Sequence, residues 1–320
     1  MQPNNTMTIN QLTRRPEAYR LQSTVYSLAL VLTSLIWAGD ATAQTSQTEA
    51  RLTYLRELIR ARDPGAPPLL YAKFEIEISG PAALFPVPRT LRGENYRQVN
   101  VQEWWAQDQK IAVVTHAEMT AWLDDAVIRN VPPNSGPGYT QCFDGERAYY
   151  HDQRAEGRVL EVNSRWPFRN AAYPVLFGRN RAAKSIGEIL DDGPEYVGED
   201  SSQNRPCSVI RLRNSTSETK LWLAHDLGGL CTKVEVYAPR GLAFDANYQF
   251  AVGPAGFHYP VSGTERQINE RGQVRTVVWR TLDFQVNPAA PPDLFAPSAQ
   301  NADVVLDAAT GAVLKAPDQE

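Results

Sequence analysis

Between Lys220 and Ala238 the chain reads Lys-Leu-Trp-Leu-Ala-His-Asp-Leu-Gly-Gly-Leu-Cys-Thr-Lys-Val-Glu-Val-Tyr-Ala. Leu221 and Leu223 fall on one side of the first arm, Trp222 and Ala224 on the other. The second arm sets Thr232, Val234 and Val236 against Lys233, Glu235 and Tyr237. Period two with one polar lane is the mark of a strand with one packed face and one wetter face. Asp226-Leu227-Gly228-Gly229 supplies the turn, where glycine takes positive φ at little steric cost. A chain dominated by such a hairpin folds into a sheet.

The same alternation recurs along the chain. Leu70, Ala72, Phe74, Ile76 and Ile78 line one face of an expected strand over Leu69–Ser79, with Lys73, Glu75 and Glu77 on the other. Lys110–Trp122 repeats it with Ile111, Val113, Ala117, Met119 and Ala121. Phe244–Val252 and Gln273–Asn287 do so again, and Tyr96–Trp105 and Val159–Asn163 read as further strands. Phe143-Asp144-Gly145-Glu146 marks a tight hairpin. Gly253–Gly263 reads as a loop. The count comes to roughly nine to eleven strands joined by short turns, so chain neighbours are expected to be antiparallel sheet neighbours.

Helical periodicity is confined to short pieces. Residues 46–62 place Leu52, Leu55, Leu58 and Ile59 on one face, with Ser46 and Glu49 spaced as a capping box. A helical insert is expected at about residues 170–190, where Ser185 and Glu188 repeat that spacing. The expected fold is therefore mostly β with some α: a large curved antiparallel sheet or incomplete β-barrel, an N-terminal amphipathic helix and short covering helices.

The N-terminus reads as an export signal. Arg14, Arg15 and Arg20 precede an uncharged, mostly apolar run from Thr24 to Trp37, and Ala41-Thr42-Ala43 forms a small-x-small cleavage pattern. The run is shorter than the roughly 20 residues a spanning helix needs. Residues 1–43 are assigned to a signal peptide and 44–320 to one domain, and the expected location is periplasmic or secreted. Net charge is −4 with the signs interspersed, and no basic stripe marks a nucleic-acid partner.

Catalytic and metal motifs are missing from the sequence. There is no Gly-x-Ser-x-Gly, His-Glu-x-x-His, Cys-x-x-Cys or phosphate loop, so no catalytic residue, metal or cofactor is assigned. His116, His151, His225 and His258 are scattered, and Asp124-Asp125 and Asp191-Asp192 fall at element ends where turns select Asp. Cys142, Cys207 and Cys231 permit one disulfide and one leftover thiol, or three buried thiols.

The order of features resembles the periplasmic lipoprotein-carrier (LolA/LolB-like) superfamily, as a divergent member. The likeness is carried by the Phe143–Tyr150 hairpin, by Leu221–Glu235 with Trp222, Asp226, Gly229, Lys233 and Glu235, by Asp293-Leu294-Phe295, and by the closing Val-Val-Leu-Asp. It implies an incomplete antiparallel barrel whose concave side is plugged by helices, with a cavity that holds acyl chains. The expectation is a non-enzymatic envelope protein that binds a lipid or lipoprotein acyl chain, with an envelope protein as a further partner. Phe74, Ile76, Met119, Tyr248 and Phe250, which occupy the apolar lanes of the strongest strands, are the expected lining. Two alternatives stand beside it: an interaction or sensor module with a filled core, and an exported hydrolase built from clustered His and Asp.

Overall fold

The computed structural model describes residues 47–62, 69–87, 91, 93–107, 110–132, 137–152, 159–163, 185–253, 256–298 and 302–315. The expected export segment, 1–43, lies outside the described residues, as do Ser46 of the first capping box and the 170–184 part of the expected insert. The chain divides into two units, Met1–Arg51 and Leu52–Glu320. Of the first only residues 47–51, helical, are described.

The second unit is organised by one 16-stranded sheet, counted over the described residues. Its first meander is β1 (Leu70–Pro81), β2 (Asn95–Gln107), β3 (Lys110–Leu123), β4 (Ala126–Val131), β5 (Pro137–Phe143), β6 (Ala148–Asp152) and β7 (Val159–Asn163). Its second is β8 (Glu195–Ser202), β9 (Arg205–Arg213), β10 (Glu218–Ala224), β11 (Leu230–Ala238), β12 (Gly241–Val252), β13 (His258–Ile268) and β14 (Val274–Val286). β1 and β14 pair antiparallel and join the two meanders into one surface. β15 (Val304–Asp307) runs parallel to β7 and carries the short β16 (Val313–Lys315). The sheet is open, with β8 at one end of the strand order and β16 at the other.

The inner face follows from the alternation. Directly opposed residues of adjacent strands project to the same side. One row runs Tyr248, Gly263, Trp279, Ile76, Asn100 and Met119 across β12, β13, β14, β1, β2 and β3. Trp279 fits because Gly263 has no side chain: a Cβ there would stand 2.3 Å from the indole Cζ2. Phe74 and Tyr248 pack on the same indole, with ring centroids at 5.2 and 6.1 Å.

Two helices cover this face. In α1 (residues 47–62) the side chains of Leu52, Leu55 and Ile59 are buried. α2 (Ile186–Asp191) begins at Ser185, whose hydroxyl accepts from Glu188 N–H while the Glu188 carboxylate accepts from Ser185 N–H. It buries Ile186, Ile189 and Leu190. These six side chains join one apolar cluster with residues of β1–β3, β9–β12 and β14, so a single sheet face wraps two helices. A smaller cluster on the opposite face gathers Tyr71, Trp105, Ala112, Cys142 and Leu294.

The strongly patterned strands appear where the alternation places them. Others differ. Residues 258–263, read as loop, begin β13, because Pro260 and Gly263 hide the alternation of a real strand. β4 and β16 are unanticipated: one is mostly exposed, the other three residues long, and neither carries an apolar lane. The sixteen strands thus exceed the expected nine to eleven. All three cysteines are free, buried thiols, so no pair among them is bridged.

Candidate functional site

The five expected lining residues share the inner face. Phe74, Ile76, Tyr248 and Phe250 are buried in the main apolar cluster. Met119 is half-buried, opposite Asn100 in the same row. A polar strip on β2, through Gln98, Asn100 and Gln102, lies beside them on this face and escapes a reading tuned to hydrophobic lanes.

The covering helix is seated by the hairpin that dominates the sequence. The turn opens with a 3-10 segment, His225–Leu227, and turns through Gly228 at φ 64° and Gly229 at φ 78°. Both glycines also touch α1: a Cβ at Gly229 would meet Ile59 Cγ1 at 2.9 Å, and one at Gly228 would meet Arg62 Cβ at 3.0 Å. The turn therefore needs glycine twice over, for its left-handed backbone and for the close approach of the helix. Tyr54 stands edge-on to the His225 ring at 5.7 Å. The remaining hairpin residues are structural. Asp226 is bridged to Arg205, Lys233 Nζ lies 4.2 Å from the Trp222 ring centroid and 2.8 Å from Glu235, and Trp222 Nε1 donates to Asp200. That hydrogen bond holds the Asp200 carboxyl below its ordinary range.

The two helices are tied to each other by Arg56. Its guanidinium donates to the Leu190 carbonyl at 2.8 Å and lies 3.4 Å from the Asp191 carboxylate, at the C-terminal end of α2. A cation there is favourably placed against the end's unsatisfied carbonyls.

Two polar clusters among the described residues bring a histidine against an acid. His225 Nε2 lies 2.9 Å from Ser208 Oγ and 3.3 Å from Glu199 Oε2, while Ser208 Oγ donates to Glu199 Oε1 at 3.1 Å. The Ser208 hydroxyl is shared between the Glu199 carboxylate and the His225 ring, and the direction of its contact with Nε2 follows the imidazole tautomer. Ser208 is also fully buried. On the outer face His116 Nε2 lies 3.0 Å from Glu103 Oε1, with Lys73 Nζ at 3.5 Å. The His116 hydrogen bond, opposed by partial burial, lowers the Glu103 carboxyl. His151 is on β6 and His258 opens β13. Among the described residues no group of three or more His, Cys, Asp or Glu is arranged to hold a metal ion. Asp124, one of the paired aspartates, accepts from the N–H groups of Glu94 and Asn95, which depress its carboxyl.

A cleft of about 490 Å³ opens where the β13–β14 ladder ends at Ser262 and Arg280. Val252, Tyr259, Leu282, Asp283 and Phe284 line it, and none of the five expected residues does. Pro260 has no N–H to continue the ladder.

No helix among the described residues is long and apolar enough to cross a membrane. No protein-family model matches the chain. No curated protein matches it either. Among solved structures, a LolA superfamily protein from Nitrosomonas europaea matches at 13% identity and a TM-score of 0.44, covering 78% of this chain and 98% of that one. A DUF1329 family protein from Desulfovibrio piger matches at 12% identity and a TM-score of 0.36, over 78% and 98%. At these values the likeness carries nothing about ligand or activity, and the fold stands on its own strand order and register.

Proposed function

We propose that the protein is a non-enzymatic binder of a hydrophobic ligand, a lipid or the acyl chain of a lipoprotein, held on the inner face of the sheet after export to the envelope. The observation that carries this reading is the cover. A broad apolar sheet face is closed by two short helices, and a ligand of similar greasiness can take their place. Burying the three α1 side chains Leu52, Leu55 and Ile59 contributes about 1.5–3 kcal/mol each. An acyl chain contributes about 0.8 kcal/mol per buried CH₂, so roughly six to eleven methylenes offset α1. Chains of ordinary membrane-lipid length meet that requirement. Phe74, Ile76, Met119, Tyr248 and Phe250 are the surface such a chain would touch once α1 lifts. The full burial of Ser208, the serine beside His225 and Glu199, supports a binding role over the hydrolase alternative.

The test is uptake of a fluorescent fatty acid by delipidated protein, with native mass spectrometry of the freshly purified protein. The expected result is saturable uptake with a single site and a co-purified lipid mass. Neither uptake nor lipid mass would leave the filled-core interaction module as the better reading.

A further inference from the structure

The inner face is not uniformly apolar. On β2 the residues that point inward, two apart, are Tyr96, Gln98, Asn100, Gln102 and Trp104, opposite Ile78, Ile76 and Phe74 of β1. The middle of the strand therefore presents three neutral amides to a face that is otherwise mostly hydrocarbon and aromatic rings, with buried Glu265 of β13 and partly buried Arg275 of β14 as charged members further along it. Two are partly engaged: Tyr96 O–H donates to Gln98 Oε1 at 2.7 Å and Trp104 Nε1 donates to Gln102 Oε1 at 3.1 Å. The third is not. Asn100 is 7% exposed and its Oδ1 is buried with no hydrogen-bond partner. Thr115, which faces Gln102 from β3, is 5% exposed and its Oγ1 is likewise buried without a partner.

A buried carbonyl oxygen and a buried hydroxyl without partners are costly, and folded proteins rarely keep them. Two on adjacent strands, Asn100 in the middle of the amide strip and Thr115 opposite the next amide, Gln102, mark a place where hydrogen-bonding groups are supplied from outside the chain. We infer that this strip is a subsite for the polar end of the ligand, and that the ligand is a neutral lipid carrying hydroxyl or amide groups next to its acyl chain. This rests on the lipid-binding reading and adds to it the class of headgroup. The Asn100 carbonyl requires a donor, which a hydroxyl or amide N–H provides and a simple ester does not. The strip itself has no Lys, Arg, His, Asp or Glu, so a desolvated anionic headgroup finds no counter-charge there. The cations of this face stand at its Tyr96 end, away from Asn100 and Thr115: Arg129 of β4, opposite Ala121, neighbours Tyr96, and Arg275 lies 5.7 Å over the Phe85 ring that stacks on Tyr96.

The experiment uses three probes with one acyl chain: monooleoylglycerol, methyl oleate and oleate, each titrated into the delipidated full chain. The wild type is expected to bind monooleoylglycerol at least tenfold more tightly than methyl oleate or oleate. In Asn100→Leu/Thr115→Val that preference is expected to fall below about twofold while methyl oleate binds as well as before. Thermal melting of the double variant, and of Thr115→Val alone, is expected at or above the wild-type temperature, because each change removes an unsatisfied buried atom. Equal binding of all three probes by the wild type would overturn the headgroup assignment and leave the lipid-binding reading intact. So would a preference retained by both variants. Binding of none of the three would overturn the lipid-binding reading itself.

Discussion

Gly263→Ala tests whether the inner face is packed as described. Gly263 sits in register between Tyr248 and Trp279, and a Cβ there would lie 2.3, 2.5 and 2.7 Å from Cζ2, Cε2 and Nε1 of the Trp279 indole. That indole is fully buried against Phe74 and Tyr248, so it has no free volume to swing into. Nothing in the glycine's backbone is strained by alanine, so the whole cost is overpacking, about 1–3 kcal/mol. Trp279→Leu alone removes the three clashing atoms and leaves a cavity, at a cost of about 3 kcal/mol. Together the two changes are expected to be non-additive: in the Trp279→Leu background Gly263→Ala costs close to nothing, a coupling of about 1–3 kcal/mol. Urea unfolding followed by far-ultraviolet circular dichroism measures this. With a slope of about 3 kcal/mol/M, Gly263→Ala shifts the midpoint by roughly 0.3–1 M. Free energies that add within about 0.5 kcal/mol would refute the row Tyr248–Gly263–Trp279 and the filled inner face with it.

Three further outcomes follow from the geometry. Desolvation pushes the Cys142 and Cys231 thiols up to about 12, so both are expected to resist a thiol reagent in native buffer and to react on unfolding; reductant should leave the melting temperature unchanged. The Glu103 carboxyl is depressed below its ordinary 4.5, chiefly by the His116 hydrogen bond, so its stabilising contribution is present above that value and lost as pH falls through the folded one. Melting temperature recorded from pH 7 to 3 should therefore drop at the acid end, and less steeply in Glu103→Gln. Arg56→Met removes a charge-assisted hydrogen bond to the Leu190 carbonyl and is expected to cost about 1–2 kcal/mol in the same urea assay, with faster hydrogen exchange of α1 amides as the local readout.

The strands that a sequence reader finds are those whose two faces differ in chemistry. Phe74, Ile76 and Ile78 against Lys73, Glu75 and Glu77 is such a case, and the structure has Leu70–Pro81 as β1 with these residues paired on both sides. β13 lacks that contrast: Pro260, Gly263 and Glu265 occupy its inward and buried positions, and only the neighbours make them a strand. The inner-face position of Phe74, Ile76, Met119, Tyr248 and Phe250 is legible for the same reason, since they are the apolar lane itself. The amide strip was not, because Gln98, Asn100 and Gln102 score as solvent-facing until β1 and β3 close around them. The glycine pair of the hairpin was legible as a turn but not as a seat for α1, a contact no spacing reveals.

The β1–β14 ladder, from Leu70↔Val286 to Ser79↔Thr276, ties the first described strand to one that the ribosome delivers nearly a whole domain later. At about 5–20 residues per second that interval is on the order of ten to forty seconds. Throughout it, the nascent first meander carries a bare hydrogen-bonding edge beside Phe74 and Ile76, and non-local closure of this kind is intrinsically slow. The seam that makes the sheet continuous is thus also one that closes late, and until it does the waiting edge is the part of the young chain most in need of an escort.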